Sequence, residues 1–391
     1  MIRILLTWLL FLLMAGCAQL PAPPGKPQPC VPQPVAPLPV QPHLQPAQWS
    51  DLPGWQEDNL LEVWPLWQQE CSVMQHKRAW QPACQAAAGM SPTDSATVRH
   101  YFEQWFSVWQ SVQPDGAGTG LITGYYTPLL HGSLSRQRGF SVPLYARPPD
   151  LLTVELSSVY PELKGMRLRG RLVGNTVVPY YDRSAIESDD HPLAGHELVW
   201  VDDPVEAFFL QIQGSGEIKL PDGRQLTVGY ADQNGYPYQA IGRVLAERGD
   251  LSADHLSMQA IREWARTHPG QVAEVLDHNP SYVFFRFLPD HQPLGALGLP
   301  VTGWRSLAVD PRAIPLGAPV WIATAHPGNG APLQQLMLAQ DTGGAIRGNV
   351  RADFYFGIGA QAGEEAGRMK QQGSLWVLLP KDDTEQAAAR K

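Results

Sequence analysis

The sequence predicts a mainly β fold whose C-terminal part closes into a small barrel, with some flanking helices, and three observations predict it. After Tyr282 the apolar residues fall into six short runs, VFFRF, SLAVD, PVWIA, LMLAQ, FYFGIG and SLWVLLP, separated by Gly- and Pro-rich turns. Such punctuation marks short strands of a small closed sheet. From Leu121 to Val201 the chain is again a series of short strand-like runs broken by glycine and proline. Between Tyr236 and Asn279 the apolar spacing changes to that of a helix. At 391 residues the chain can bury a large core and divide into two domains.

The first 17 residues, MIRILLTWLLFLLMAGC, carry one positive charge, Arg3, then an apolar run too short for a comfortable membrane span, then small residues directly before Cys17. This is the pattern of a bacterial lipoprotein signal, with Met14 where leucine is commoner, and Cys17 is the expected site of lipid attachment. The competing reading is an uncleaved anchor helix. By similarity to other lipoproteins, Ala18, rather than aspartate, after the cysteine directs the protein to the outer membrane, facing the periplasm. Residues 18–48 form a proline-rich, nearly uncharged linker, expected as a semi-rigid spacer.

The segment Ser91–Gln113 places Val98, Phe102, Trp105, Phe106 and Trp109 on one helical face. In an oxidising compartment Cys71 and Cys84 can close a short loop; the alternative is two reduced, buried thiols. Cys30 is left over in the linker. Within the helical block, YQAIGRVLAERG ends on Gly249, SADHLSMQAIREWARTHP begins on Ser252 as N-cap, and PGQVAEVLDHNP closes at Pro280. The tail 381–391 is charged and expected to fray.

Net charge is −8 with 17% charged residues, and no Lys/Arg cluster interleaves with aromatics, so nucleic acid is excluded as a partner. Instead there are 13 Trp and 12 Tyr, enough for carbohydrate platforms as well as a core. His191 and His196 in DDHPLAGHE are spaced for neither HExxH nor a cysteine–histidine finger, so no metal site is expected. No cofactor is implied.

Carboxylates concentrate in the predicted barrel. Asp310 ends SLAVD, Asp341 ends LMLAQD before TGGAIRG, and Asp353 opens DFYFGIG. Strand ends on one rim of a small barrel converge, so three acids distant in sequence can share a surface. Gly343, Gly344 and Gly348 permit sharp turns and leave space beside them. Each aspartate alone is explained as a turn residue capping its own backbone. An aspartic protease needs two carboxylates sharing a proton, and the chain carries one Asp-Thr-Gly and no second copy.

The segments LITGYYTPLLHGS, WVDDPVEAFFLQIQGSGEIKLPDG, VGYADQNGYPYQAIGRVL, NPSYVFFRF, GWRSLAVDPRAIPLGAPVWI and LAQDTGGAIRGNVRADFYFGIG together resemble, in the same order from about Gly120 to Pro380, the MltA family of membrane-bound lytic murein transglycosylases. The last part resembles its 3D module, named for three aspartates. The resemblance implies a double-psi β-barrel built from both ends of the chain, residues 49–130 and 286–380, and an inserted β-rich substrate domain at 131–285, with glycan in the groove between them. It also implies an outer-membrane lipoprotein, peptidoglycan strands as substrate and other cell-wall enzymes as candidate partners.

Cleaving the β-1,4 bond between N-acetylmuramic acid and N-acetylglucosamine needs a proton delivered to the leaving oxygen. The sugar's own C6 hydroxyl can then attack intramolecularly, so one carboxyl suffices. The barrel also resembles that of family-45 endoglucanases and expansins, whose acid enters a strand as Asp353 does in RADFYFG; Asp353 is therefore the expected acid/base, Asp341 its rival, and Asp310 the residue that fixes the turn beneath. Burial and the neighbouring Asp341 are expected to raise the pKa of Asp353. Tyr125, Tyr126 and Thr127, with Gln211, Gln213, Gly214 and Ser215, are the expected glycan contacts, since flat rings stack on sugars and amides bond acetamido groups. Arg305 and Arg347 are candidates for a lactyl or stem-peptide carboxylate. A hydrolase using both Asp341 and Asp353, and a non-cleaving wall tether, remain as alternatives.

Overall fold

The computed structural model describes residues 43–252, 256–289 and 292–381; the expected signal with Cys17, Cys30, most of the linker and nearly all of the tail lie outside them. The linker is shorter than its composition suggests. Its last residues form strand β1 (Leu44–Ala47), whose Pro46 is tolerated because β1 sits at a sheet edge.

Helices α1 (Trp64–Met74) and α2 (Gln81–Ala88) follow, joined by a Cys71–Cys84 disulfide. Helix α3 spans Ser95–Trp105, capped by the Asp94 carboxylate, which accepts from the Thr97 amide at 2.7 Å. The expected helix to Gln113 is not found: from Phe106 the chain turns into strand β2 (Phe106–Ser111). The helical spacing of Trp105 and Trp109 is overridden by tertiary pairing, because β2 completes ladders on both sides, Trp109 lying opposite Pro46 and Val377.

Strands β3 (Gly120–Thr127), β4 (Leu129–Ser133), β5 (Val142–Tyr145), β6 (Leu152–Thr153), β7 (Arg169–Val173) and β8 (Thr176–Pro179) come next, then short helix α4 (Arg183–Ile186) and strand β9 (Glu197–Val201). Helix α5 (Pro204–Gln213) was not expected. Asp203 caps it through the Val205 and Glu206 amides, Pro204 opens it, and Gly214 closes it at φ 80°. Strands β10 (Ser215–Lys219) and β11 (Gln225–Gln233) lead to helices α6 (Ile241–Glu247), α7 (Met258–Thr267) and α8 (Val272–Asp277). The N-cap of α7 is Ser257, bonded to the Ala260 amide, rather than Ser252.

The six C-terminal apolar runs are all strands: β12 (Val283–Leu288), β13 (Ser306–Val309), β14 (Pro319–Ala325), β15 (Pro332–Asp341), β16 (Ala352–Ile358) and, after helix α9 (Gly359–Arg368), β17 (Lys370–Pro380). One is misplaced by the sequence reading. The VFFRF run, β12, pairs with β11 at the edge of a second sheet ordered β12-β11-β10-β4-β9-β5. The other five join β3 in a ring, β17-β14-β15-β13-β16-β3, which closes because Lys370–Gly373 of β17 pair with Gly120–Thr123 of β3. The fold is therefore mainly β with a barrel-like ring and flanking helices. Strands β6, β7 and β8 form a small third sheet.

The ring interior and helices α1 to α3 share one apolar cluster, including Trp67, Phe102, Phe106, Val309, Leu338 and Phe354, all completely or almost completely excluded from solvent. Inside it the Trp67 indole donates to the Tyr101 hydroxyl, which donates to the Ala83 carbonyl at 2.7 Å, so these buried polar groups are satisfied. The second sheet packs helix α5 through Leu130, Val199, Leu210, Ile218 and Phe285.

Candidate active site

Strand register brings the acids together. On β13, Ala308 lies opposite Asp353 of antiparallel β16 on one side and Asp341 of parallel β15 on the other. The two carboxylates thus flank a small residue, about two strand spacings or ~10 Å apart at the backbone. On the far side of β16, Asp353 lies opposite Thr123 of β3. Below them Tyr125, Ala308, Ile346, Tyr355 and Val301 form a compact apolar floor, with the Tyr125 and Tyr355 rings 4.9 Å apart.

Asp353 is held by one oxygen. Its Oδ1 accepts a short hydrogen bond from the Thr123 hydroxyl and lies 3.7 Å from Arg351 Nη1, while Arg351 Nη2 also donates to Thr123 at 2.8 Å. Neither contact engages Oδ2. The side chain keeps 19% exposure, enough for a ligand to reach it. Burial raises its pKa, opposed by Arg351 and Thr123. Its mutual repulsion with Asp341 belongs to the pair and is expressed in the rise at that second carboxyl.

Asp341 also uses Oδ1, which accepts from the amides of Thr342 (2.8 Å) and Ala296 (3.1 Å). Burial lifts its carboxyl to about 6, against those amides, and the charge of Asp353 adds to the rise. The Tyr125 hydroxyl lies beside Asp341 without reaching hydrogen-bond geometry. Burial, then the nearby carboxylates, hold this phenol well above its ordinary value.

Asp310 is fully buried and outside the cleft lining. Its Oδ1 accepts from the Arg312 amide (3.1 Å) and Nε (3.0 Å), and its Oδ2 from Arg312 Nη2 (2.8 Å) and the Gly348 amide (3.0 Å). Burial alone would raise its pKa; these donors outweigh it and hold the carboxyl below the usual range. Gly348, at φ 121°, makes the turn that presents this amide.

Two cavities meet at the acids. The smaller, about 340 Å³, runs over Leu121, Thr123 and Tyr125 toward Ser257 and Met258. The larger, about 670 Å³, runs over the second sheet past Gly229, Tyr230 and Tyr238. Both are lined by Ile212, Gln213, Asp341, Thr342, Gly343, Ile346 and Asp353. Asp341 and Asp353 therefore sit at the middle of one groove.

Among the expected glycan contacts, Tyr125, Gln211, Gln213, Gly214 and Ser215 line the groove. Tyr126 and Thr127 do not. The Tyr126 hydroxyl accepts from Arg262 (2.8 Å) and its amide donates to Gln213 Oε1 (3.1 Å), which ties β3 to α5 and α7; Thr127 is bonded to the Tyr355 hydroxyl at 2.7 Å and buried. Alternation along β3 turns Tyr126 away from the cleft, while Thr127, on the face of Thr123 and Tyr125, is covered by its contact with Tyr355. Gln211 lines the groove but its Oε1 already accepts from Arg183 at 2.5 Å. Arg305 is buried against Asp58 and Glu62, so it cannot meet a ligand. Arg347 is turned back onto the Gly343 and Ile346 carbonyls. His191 and His196 lie in the loop between α4 and β9.

Sequence reasoning passed over Thr123 and Arg351. Arg351 stands two residues before Asp353, and that spacing on a strand rim was an available signal. Thr123 is 230 residues from Asp353, and nothing local marks it.

The description "MltA specific insert domain" belongs to the family model that matches residues 121–286, and "3D domain" to the one that matches residues 305–379. A membrane-bound lytic murein transglycosylase A of Escherichia coli is 35% identical over 277 residues, 69% of this chain and 68% of that protein. A crystal structure of MltA from Neisseria gonorrhoeae superposes with a TM-score of 0.76 at 37% identity, covering 86% of this chain and 92% of the other. A structure of E. coli MltA with bound chitohexaose aligns at TM-score 0.62 and 30% identity, covering 83% and 90%.

Proposed function

The chain belongs to the MltA family of membrane-bound lytic murein transglycosylases, and from this premise we propose that it cleaves the β-1,4 bond between N-acetylmuramic acid and N-acetylglucosamine without water, leaving 1,6-anhydromuramic ends. The observation that carries the reading is the free Oδ2 of Asp353 at the junction of the two cavities, on a carboxyl whose pKa burial raises. Protonated, Asp353 donates to the glycosidic oxygen as that bond breaks. Ionised, it accepts the C6 hydroxyl proton while that oxygen bonds to the anomeric carbon. The nucleophile is tethered to the reacting sugar, so proximity replaces a second activating group.

In this reading Thr123 and Arg351 fix Oδ1 and leave Oδ2 for the substrate. Asp341, facing the same groove, stabilises the positive charge that develops on the sugar ring. Asp310 orders the turn through Arg312 and Gly348. Tyr125, Gln213, Gly214 and Ser215 contact glycan, which the chitohexaose bound to the E. coli relative supports. Tyr126, Thr127 and Gln211 support those contacts from behind.

The family and the sheet pairings also support a division into a barrel domain from both chain ends and an inserted domain. The parallel pairs β16–β3 and β13–β15 favour a double-psi ring. The N-terminal signal supports lipid attachment at Cys17 and an outer-membrane location, where other wall enzymes are candidate partners.

The test is mass spectrometry of products released from sacculi. The parent should release fragments one water lighter than hydrolysed muropeptides, and Asp353→Asn should lower the rate by about 10²–10⁴-fold. Ordinary reducing ends would instead indicate the two-carboxylate hydrolase, and binding with no product a wall tether.

A further inference from the structure

The larger cavity holds two arginines that make no ion pair among the described residues. Arg167, in the loop before β7, and Arg286, on β12, both line it, in the part of the groove that the smaller cavity does not reach. Both are exposed, and among the described residues neither makes an ion pair or a side-chain hydrogen bond. Their neighbours are treated differently. Arg169 and Arg147 are both committed to Asp232, at 2.9 and 3.0 Å, so an acid was available to this surface and was spent on other cations. Arg286 shares a face of β12 with Leu288, which also lines the cavity, so its position follows from the strand and not from a mobile loop. Two half-open tyrosines, Tyr230 and Tyr238, stand along the same wall.

A guanidinium offers a planar fork of donors that matches a carboxylate. The two sugars of the polymer differ in this respect: the muramic residue bears a lactyl acid, free or extended by a peptide with its own carboxylates, and N-acetylglucosamine bears none. The chain as a whole carries −8 and would repel such a polymer, so unpaired cations inside the groove give it a local attraction. Arg167 is also a like-charged neighbour of Arg347, which brings a third cation near the same stretch.

We propose that Arg167 and Arg286 form a carboxylate-binding subsite in the inserted-domain half of the groove, one that recognises the lactyl or stem-peptide acid of a muramic residue and so sets the register of the strand across Asp353. This rests on the groove being the glycan site. The carboxylate role expected of Arg305 and Arg347 falls to these two residues.

The experiment measures Kd by calorimetry for the full-length protein carrying Asp353→Asn, which prevents turnover, with and without Arg167→Gln and Arg286→Gln. Three ligands are used: chitohexaose, peptide-free glycan strands with free lactyl acids, and strands that retain stem peptides. The double glutamine variant should bind chitohexaose within about twofold of its parent, which also checks its fold, and bind at least one carboxylate-bearing strand about tenfold or more weakly. Loss confined to peptide-free strands identifies the lactyl acid, and loss confined to peptide-bearing strands the stem acid. An unchanged Kd for both strands overturns the proposal, as does an equal loss for chitohexaose. A parent that binds none of the three ligands overturns the glycan reading of the groove instead.

Discussion

Asp341 and Asp353 are raised by the same cause, burial, but differ in what opposes it: two backbone amides at Asp341, a guanidinium and a hydroxyl at Asp353. A carboxyl with a raised native pKa favours the folded state while protonated. For Asp341 that contribution is complete below about 3.9 and is lost as pH rises through about 6. The rise corresponds to at most ~3 kcal/mol. Asp341→Asn, whose amide oxygen can still accept from Thr342 and Ala296, is therefore expected to melt above the parent at pH 7.5, with the gap closing toward pH 4, while activity falls. Thermal melts across that range check it. At Asp353 the sign of the neighbour differs. Arg351 lowers its pKa, so, on the proposed role of Asp353 as proton donor, Arg351→Gln should move the alkaline limb of the kcat/KM profile to higher pH, because the protonated form then persists further.

Among the elements, α9 and β3 show how closely the site's backbone is packed. A Cβ on Gly124 would stand 2.7 Å from the Ala366 Cα and 2.7 Å from the Phe356 ring, and backbone cannot retreat as a side-chain tip can. Gly124→Ala should cost about 1–3 kcal/mol in denaturant melts, with the neighbouring Tyr125 displaced. Element legibility followed the same physics. The C-terminal strands were readable because glycine and proline punctuate them, and the acids because they stand at strand ends. Helix α5 was missed although Asp203, Pro204 and Gly214 mark both its ends, since QIQGSG was weighed as ligand chemistry and not as a helix terminus. The α3–β2 junction and the placement of β12 were not readable locally: ladder partners decide them, and these lie in distant parts of the chain.

For the whole molecule, the ring is closed by four residues of β17 against four of β3, with the strands of the second sheet between them in sequence. A chain ending at residue 369 retains Asp310, Asp341 and Asp353 but lacks β17; it should show no cooperative melt and no groove. The Cys71–Cys84 bond braces α1 against α2, and its removal by Cys→Ser at both positions should cost about 3 kcal/mol. Closure between β3 and β17 has a further consequence, in time. The hydroxyl that orients Asp353 is made 230 residues earlier, so long-range pairing must precede any activity and the fold is intrinsically slow to complete. During synthesis the growing polypeptide carries its acids for many residues before it can cut anything. An enzyme whose target is the cell's own wall is thereby born inert, and becomes competent only when its last strand has been delivered.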